Sequence, residues 1–445
     1  MPLTGLDIYK LLPRTNCGDC GVPTCLAFAM KLARKQAALD ECPHASDEAK
    51  SALEGASAPP IQLVKIGTGD QELEIGNETV IFRHEETFHH PCGIAVRITD
   101  ELSDEELDKE IEKISALWFE RVGQEVGVEL IAVEEKSGDA QKYADVVKKV
   151  VEKSKQTPIL MSSDPSIMGA ALAVSADKRP LIYAANAENF EAMAALAKEH
   201  GTPLAVCGNG IDEVADLTPK IKDLGVEELV IDAGARKTLE AMDDLTQVRR
   251  QALNNNFRPL GYPVIAFTTH KGHELIPEAS TYIAKYAGIV VVDGSEPWQI
   301  LPLLALRQNV YTDPRMPLQV EDKLNPIGEV TPDSPVLMTT NFSLTYFTVL
   351  GEVEASKIPA YILSINTEGQ SVLTAYASEK LNVEDVAKKI KDVDLENVVN
   401  HKTIVIPGYV AVMSGALEGE SGWKVIVGPR EATGISAFLK QYSGS

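Results

Sequence analysis

The sequence is poor in positive charge and in cysteine, and each shortage excludes something. Its 42 Lys and Arg face 65 Asp and Glu, a formal charge of −23. That balance argues against nucleic acid or an anionic membrane surface as partner. No run of about eighteen apolar residues occurs, so no membrane-spanning helix is expected. The first residues, Met1-Pro2-Leu3-Thr4-Gly5-Leu6-Asp7-Ile8-Tyr9, show neither a basic region nor an apolar core of export length, and a soluble cytoplasmic protein is expected. Six cysteines in 445 residues are too few for a disulfide framework. Low-complexity tracts are also missing, while 44% apolar content is ample for folded cores. The length suggests two or three domains.

Four of the cysteines stand close together near the start. Cys17, Cys20, Cys25 and Cys42 follow the order C-x2-C-x4-C-x16-C-P. Gly18 and Gly21 each follow a thiol, where a backbone N–H can approach sulfur with no Cβ in the way. Thr24 is a suitable helix N-cap, and Leu26, Phe28, Ala29 and Leu32 follow at helical spacing as a dry wall. Structural zinc usually takes two short C-x2-C hooks, so one hook, a four-residue step and a lone Cys-Pro favour a four-iron cluster, with zinc or free thiols as alternatives. A cluster would suit electron transfer under anaerobic or strongly reducing conditions.

The middle of the chain is a repeat. After an Ala/Ser/Pro linker at Ser51–Pro60, Glu72–Ile75 and Thr79–Phe82 read as a hairpin across Gly76-Asn77. Eight apolar runs then recur, starting at Ile94, Leu130, Pro158, Leu181, Pro203, Glu228, Pro263 and Gly288. Amphipathic stretches separate them, including Asp104–Val126, Asp139–Lys155, Glu188–His200 and Ala235–Leu253. Strict β/α alternation with continuous apolar strands predicts a closed parallel barrel, its N-terminal end plugged by the hairpin. Ligand sites in such barrels lie at the strand C-termini. The candidates there are Ser162, Ser163, Asp164, Gly208, Asn209, Asp212, Asp232, Arg236, Thr268, Thr269, His270, Asp293 and Ser295, many of which also suit helix N-caps. Asp232 to Arg236 and Thr269-His270-Lys271 are the most polar groups and the first places to look for a docked ligand or partner. His84, His89, His90 and Cys92 match no standard metal spacing, so a structural role is favoured, and Cys207 reads as a small buried residue.

Proline-rich residues 312–335 read as an ordered linker. Beyond it, runs at Val336–Thr340, Ala360–Asn366, Thr403–Pro407 and Lys424–Gly428 alternate with helical stretches Ser343–Ser356, Ser371–Ile390, Met413–Leu417 and Glu431–Tyr442. This predicts a small open α/β sheet with its ligand crevice at the strand C-termini. Loops Asn366–Ser371, Ile406–Tyr409 and Val427–Gly434 carry the glycines and hydroxyls that cradle phosphate or a flat polar ring, although ordinary turns share this composition.

The opening LTGLDIYKLLPRTNCGDCGVPTCLAFAMKLA, followed by a barrel and a small α/β domain, resembles the large (gamma) subunit family of corrinoid/iron–sulfur proteins of the anaerobic acetyl-CoA (Wood–Ljungdahl) pathway. That family is homologous to the gamma subunit of acetyl-CoA decarbonylase/synthase. The resemblance covers the whole chain. It implies an α/β multidomain fold: a [4Fe-4S] domain at 1–57, a (β/α)8 TIM barrel with its hairpin at 58–311, a linker at 312–335 and a Rossmann-like corrinoid-binding domain at 336–445. It implies a [4Fe-4S] cluster on Cys17, Cys20, Cys25 and Cys42. It also implies a cobalamin-type corrinoid against Thr340 and Tyr346, against Gln370, Ser371, Val372, Leu373 and Thr374, against Gly408 and Tyr409, and against Ala432, Thr433 and Gly434.

Thr374 is the expected residue beneath the cobalt, while Tyr346 equally suits a helix core face with Leu344, Phe347 and Leu350. The implied role is that of a methyl carrier rather than a free-standing enzyme. Cobalt in the Co(I) state takes a methyl group from methyltetrahydrofolate, presented by a methyltransferase, and delivers it to acetyl-CoA synthase/CO dehydrogenase, while the cluster rescues Co(II). The implied partners are a small subunit, these two enzymes and a low-potential electron donor. His401 is the one histidine of the C-terminal domain and no D-x-H-x-x-G motif occurs, so a base-off corrinoid without protein histidine is expected. The competing readings are an iron–sulfur oxidoreductase with its substrate on the barrel's C-terminal face and a zinc-stapled scaffold subunit with no redox role.

Overall fold

The computed structural model describes residues 5–33, 37, 41–46, 59–313 and 316–442. Most of the expected linker at Ser51–Pro60, with the boundary expected after residue 57, lies outside the described residues. The chain forms two compact units: Met1–Trp118 with Gly127–Tyr311, and Phe119–Val126 with Thr312–Ser445.

The first unit opens with two short helices, α1 (Gly5–Leu11) and α2 (Cys25–Ala33), and an antiparallel hairpin of β1 (Val64–Ile66) and β2 (Leu73–Ile75). After β3 (Gly93–Thr99) and α3 (Asp104–Ser115) the chain makes a second hairpin, β4 (Trp118–Arg121) and β5 (Gln124–Gly127), whose residues Phe119–Val126 belong to the second unit. The chain then alternates through β6 (Leu130–Glu134), α4 (Ala140–Lys153), β7 (Thr157–Met161), α5 (Pro165–Ser175), β8 (Leu181–Ala185), α6 (Phe190–His200), β9 (Leu204–Cys207) and α7 (Ile211–Asp223). It finishes with β10 (Leu229–Asp232), α8 (Thr238–Asn254), β11 (Ile265–Phe267), α9 (Leu275–Ala284), β12 (Ile289–Val292) and α10 (Pro297–Tyr311). Strand β3 and strands β6 to β12 form one eight-stranded parallel sheet in sequential order, and the ring closes where Ile231 bridges Val264.

Local chemistry sets the helix starts. Ser103 and Glu106 form a reciprocal capping box at α3, whose Leu107, Ile111 and Ile114 are buried along one stripe. The Asp139 carboxylate accepts from the Gln141 and Lys142 N–H groups at α4, and Asp164 does the same for Ser166 and Ile167 at α5. Asp164 is therefore a cap. Buried Tyr143 pins α4 to the barrel: its hydroxyl donates to Val133 O at 2.8 Å and accepts from Met161 N–H at 2.9 Å.

Two expectations about hairpins are corrected here. Residues 72–82 do not pair across Gly76; β2 pairs back onto β1, with Val64 opposite Ile75 and Ile66 opposite Leu73. That register puts Val64, Ile66 and Ile75, all fully buried, into one cluster with Leu130, Ile159 and Val230 of the barrel strands, whereas Phe82 is 51% exposed. The plug is the β1–β2 hairpin. The Thr157 hydroxyl donates to Gln71 O at 3.2 Å at the strand N-termini, and Gly76, at φ 89°, lies where a Cβ would meet Gln62 O at 2.1 Å. The stretch Asp104–Val126 is helical only to Ser115, because Trp118-Phe119-Glu120-Arg121 turns through Val122 and Gly123, both at positive φ, into β5.

The second unit holds β13 (Leu324–Ile327), β14 (Val336–Thr340), α11 (Ser343–Ser356), β15 (Ala360–Ile365), α12 (Val372–Ala377), α13 (Val383–Asp392), α14 (Leu395–Val398), β16 (Thr403–Ile406), α15 (Ser414–Ser421), β17 (Lys424–Val427) and α16 (Ile435–Tyr442). The sheet order is β13-β15-β14-β16-β17, parallel except for antiparallel β13. The stretch expected as a linker thus supplies an edge strand, at a place where Pro326 needs no ladder partner on its outer side. Helices α12 to α15 cover one face through Val386, Ile390 and Leu417, and α11 and α16 cover the other through Val353 and Leu439.

Ile66→Ala is expected to lower the stability of the first unit by about 2–5 kcal/mol through lost burial and a residual cavity, measured by urea denaturation. A loss below about 1 kcal/mol would show that the hairpin is not part of the barrel core.

Candidate functional site

Three places were singled out by the sequence: the cysteine segment, the strand ends of the second unit and the C-terminal face of the barrel. In the cysteine segment the backbone bends sharply, with Arg14, Asn16, Gly18 and Gly21 all at positive φ. The Asn16 side chain accepts from Cys25 N–H at 2.8 Å, and Asn16 N–H donates to Cys25 Sγ at 3.4 Å. Thr24 caps α2 by accepting from Ala27 N–H at 3.2 Å. Cys25 and Cys42 are buried, and with half-buried Cys20 they join one apolar cluster containing Ile8, Leu12, Val22, Phe28 and Ala29. Phe28 and Ala29 are the dry wall, while Leu26 turns outward at 40% exposure. Cys17 is exposed, and its sulfur lies with the Asp19 carboxylate and the His44 ring, all ligand atoms within 4.8 Å of one another. His44, then Cys17, holds the Asp19 carboxyl below its usual range. Four thiols in one short segment, with a backbone N–H aimed at Cys25 Sγ and a dry wall beside it, have the donor chemistry of a metal–sulfur centre.

The second place is a crevice of ≈ 240 Å³ at the C-terminal ends of β14, β16 and β17. It lies beside the point where the chain leaves β14 for β15 on one side and later returns to β16 on the other, between α11 and α12. Leu337, Met338, Val405, Ile406, Pro407 and Val349 give it apolar walls. Its floor has close backbone contacts: Gly408 N–H donates to Pro429 O at 3.0 Å, and a Cβ on Gly408 would meet Gly428 O at 2.7 Å. Thr339 also lines it, 1% exposed, and its hydroxyl has no hydrogen-bond partner; the hydroxyls of neighbouring Thr340 and Ser343 are also buried without one. A buried polar atom without a partner costs about 1–3 kcal/mol, so an orphan hydroxyl at a crevice wall marks a place for a ligand's polar group.

Of the expected corrinoid contacts, Ser371, Val372, Leu373, Tyr409 and Ala432 line this crevice. Thr433 and Gly434 complete the short turn that starts at Ala432. The Gln370 side chain accepts from Ser378 at 2.5 Å, and Thr374 shares a 3.0 Å hydrogen bond with Ser371. Tyr346 does not line the crevice: it sits 7% exposed in the core between α11 and the sheet, the helix-face placement also expected for it, where burial pushes its phenol up to about 12. Thr339, Thr345 and Arg430 line the crevice without having been anticipated. Strand alternation alone could have flagged Thr339, because it is a hydroxyl in an otherwise apolar run, but nothing local distinguishes it from Thr340. Asn341 was missed as well, and it holds the Asn366–Gln370 loop in place by accepting from Thr367 N–H at 2.9 Å and from the Thr367 hydroxyl at 3.1 Å.

At the barrel face the inward side chains bond to each other. Asp232, 3% exposed, accepts from the Tyr183 hydroxyl at 2.6 Å, from Gly234 N–H at 2.8 Å and from the Arg236 guanidinium at 2.8 and 3.2 Å. Burial opposes the charge of Arg236, but Asp232 outweighs it and raises the guanidinium's pKa. Cys207 is half-buried beside this pair, and burial pushes its thiol up to about 11. Arg97 grips Asp293 with two bonds of 2.6 and 2.5 Å. Buried Glu278 accepts from the Thr269 and His270 N–H groups, at 2.9 and 3.0 Å, and from the Tyr282 hydroxyl. The set His84, His89, His90 and Cys92 does not converge: His90 bonds Gly76 O at 3.0 Å, His84 stacks on Phe82, and Cys92 is buried.

No helix among the described residues is long and apolar enough to cross a membrane. Residues 63–439 match a family model described as CO dehydrogenase/acetyl-CoA synthase delta subunit, and residues 12–44 match one described as a putative Fe-S cluster. The chain is 51% identical over 441 residues to the corrinoid/iron–sulfur protein large subunit of Moorella thermoacetica, covering 99% of both chains. It is 37% identical over 453 residues to the acetyl-CoA decarbonylase/synthase complex subunit gamma of Methanothermobacter thermautotrophicus, again covering 99% of both. The corresponding subunit of Archaeoglobus fulgidus is 35% identical over 459 residues, covering 98% of this chain and 97% of that one. The chain belongs to the family of corrinoid/iron–sulfur protein large subunits and acetyl-CoA decarbonylase/synthase gamma subunits.

Proposed function

We propose that this protein is the methyl-carrying component of an acetyl-CoA-forming system, receiving a methyl group from a methyltetrahydrofolate-dependent methyltransferase and passing it to acetyl-CoA synthase/CO dehydrogenase. The observation that carries the reading is the likeness, along 99% of both chains, to a protein named for a corrinoid and an iron–sulfur centre. Cys17, Cys20, Cys25 and Cys42 would hold a [4Fe-4S] cluster, and the crevice beside Thr339, Ser371–Leu373, Tyr409 and Ala432 would receive part of a cobalamin-type corrinoid. When bound, the corrinoid supplies a nucleophilic cobalt for the methyl group and the cluster supplies electrons that keep it reduced.

The chain's own residues have simpler tasks. Asn16 N–H, aimed at Cys25 Sγ, stabilises negative charge on sulfur, and Phe28 and Ala29 keep water from that side of the loop. Thr339 offers its unmet hydroxyl to a polar edge of the corrinoid, while the apolar walls exclude water. A corrinoid without a protein histidine agrees with the placement of His401, which precedes β16 and bonds Ser334 O at 2.9 Å, at the opposite ends of the strands from the crevice. The partners are a small subunit, the two enzymes named above and a low-potential electron donor. Domain limits at 57, 311 and 335 belong to the same proposal, and they would let the corrinoid part face each partner in turn.

Protein purified without oxygen together with its small subunit is expected to contain about four irons and one cobalt per chain, with a low-potential spectral change on reduction. Iron without cobalt, in cells supplied with corrinoid, would overturn the carrier reading. Cys20→Ala should slow reductive reactivation at least tenfold while leaving methyl transfer by already reduced protein within about twofold; unchanged reactivation would remove the electron-transfer role of the loop. Thr339→Val should raise the melting temperature of corrinoid-free protein by about 2–4 °C, because an unmet hydroxyl is removed, yet weaken corrinoid retention several-fold. A variant that gains stability and keeps its affinity would show that this hydroxyl does not meet the cofactor.

A further inference from the structure

Arg430 is the one ionised side chain among the described residues lining the crevice; it is exposed to solvent at the rim. The neighbouring backbone is fixed: Gly408 packs against Arg430 N, where a Cβ would come within 2.8 Å, and Gly428 N–H donates to Ile406 O at 2.9 Å. The acid next to it in sequence, Glu431, is engaged by the Tyr409 hydroxyl, which donates to its carboxylate. Among the described residues no carboxylate pairs with Arg430. In a chain with 65 acidic residues and a charge of −23, a guanidinium with no ion pair at the rim of an apolar crevice offers an anionic ligand group a planar, bidentate partner. The second observation is independent of it: Thr339, 1% exposed, lines the same crevice, and its buried hydroxyl has no partner. Both point to a ligand with an apolar body, one neutral polar group and one anionic group.

Size narrows the choice further. A crevice of ≈ 240 Å³ is below the range of about 300–1,000 Å³ that encloses a drug-sized ligand, so it admits a portion of a corrinoid rather than the whole. Exposed Leu373, Tyr376, Tyr409 and Val412 stand on elements around it and leave apolar surface for the remainder. A complete cobamide carries one group that a planar guanidinium recognises well, the phosphodiester joining the macrocycle to its nucleotide tail.

We propose that Arg430 binds this phosphodiester, so that the site selects complete cobamides over corrinoids lacking the nucleotide tail. The inference rests on the corrinoid reading given above and adds the part of the ligand that the crevice recognises. It makes Arg430 a specificity-determining residue at the end of β17, acting on the ligand's tail and not on its metal.

The test is a spectroscopic titration of corrinoid-free, full-length protein, together with its small subunit, with aquocobalamin and with diaquocobinamide, which lacks the phosphodiester and nucleotide. Wild-type protein is expected to bind the cobamide at least tenfold more tightly. Arg430→Gln should bring the two within about threefold by weakening only the cobamide, and Arg430→Lys, which keeps the charge, should restore part of the preference. Equal wild-type affinities, or equal weakening of both ligands by Arg430→Gln, would overturn this proposal while leaving the corrinoid reading intact. Binding of neither ligand by wild-type protein would overturn the corrinoid reading itself, and this proposal with it.

Discussion

A parallel strand cannot be joined to its neighbour by a tight turn; the chain has to return along a crossover before the next strand begins. In both units that requirement sends every βα loop to one end of its sheet. The barrel therefore gathers Asp232, Arg236, Arg97, Asp293 and Glu278 around one mouth, although they come from distant parts of the sequence. In the second unit the same rule brings Thr339, Ser371, Tyr409 and Arg430 to one crevice, although 91 residues separate the first from the last in numbering, 339 to 430. The open sheet has a place where its crossovers diverge to opposite faces, and that place is the crevice. The closed barrel has no such place, and its mouth is occupied by side chains bonded to one another.

The contrast between these two ends is one of satisfaction. At the barrel mouth Asp232 pairs with Arg236 and Asp293 with Arg97, Glu278 is held by N–H and hydroxyl donors, and the Asp232 carboxylate accepts from a phenol, a guanidinium and a backbone N–H. In the crevice, the buried Thr339 hydroxyl remains without a partner among apolar walls, and exposed Arg430 stands at the rim with no carboxylate paired to it among the described residues. Buried polar groups are normally bonded, so the unmet set is the more informative of the two. Elsewhere in the first unit, buried ions serve the fold. Arg249 pairs with Glu78 and lies over the rings of Phe88 and Tyr286, at 5.1 and 4.5 Å from their centroids. Arg307 joins Glu129 at 2.7 Å and donates to Cys92 O at 2.9 Å. These links lie around the stretch from His84 to Cys92, and burial pushes the Cys92 thiol up to about 12.

Much of the fold was legible in the chain because it depends on local pattern. The apolar runs at Leu130, Leu181 and Gly288 are buried on both sides and read as strands without any tertiary information. Caps such as Asp139 and Asp164 announce helices within a few residues. Pairing choice was not legible. Leu73–Ile75 has two sequence neighbours able to pair with it, and the deciding factor is that pairing with Val64–Ile66 fills the barrel's open end. The same holds for Trp118–Gly127, where helical and alternating readings compete until a partner surface exists.

What the sequence determined by itself was the order of elements and the chemistry of the cysteine segment, since a C-x2-C-x4-C-x16-C-P spacing and its glycines are properties of consecutive residues. Only the tertiary structure decided which side chains meet: that Tyr346 faces the core, that Thr339 rather than Thr340 opens to the crevice, and that Glu431 is taken by Tyr409 while Arg430 is left facing the crevice. The reason is physical. Secondary structure follows periodicity along the chain, whereas the satisfaction of a buried hydroxyl or charge depends on atoms brought near it from other elements, and local sequence does not specify those neighbours.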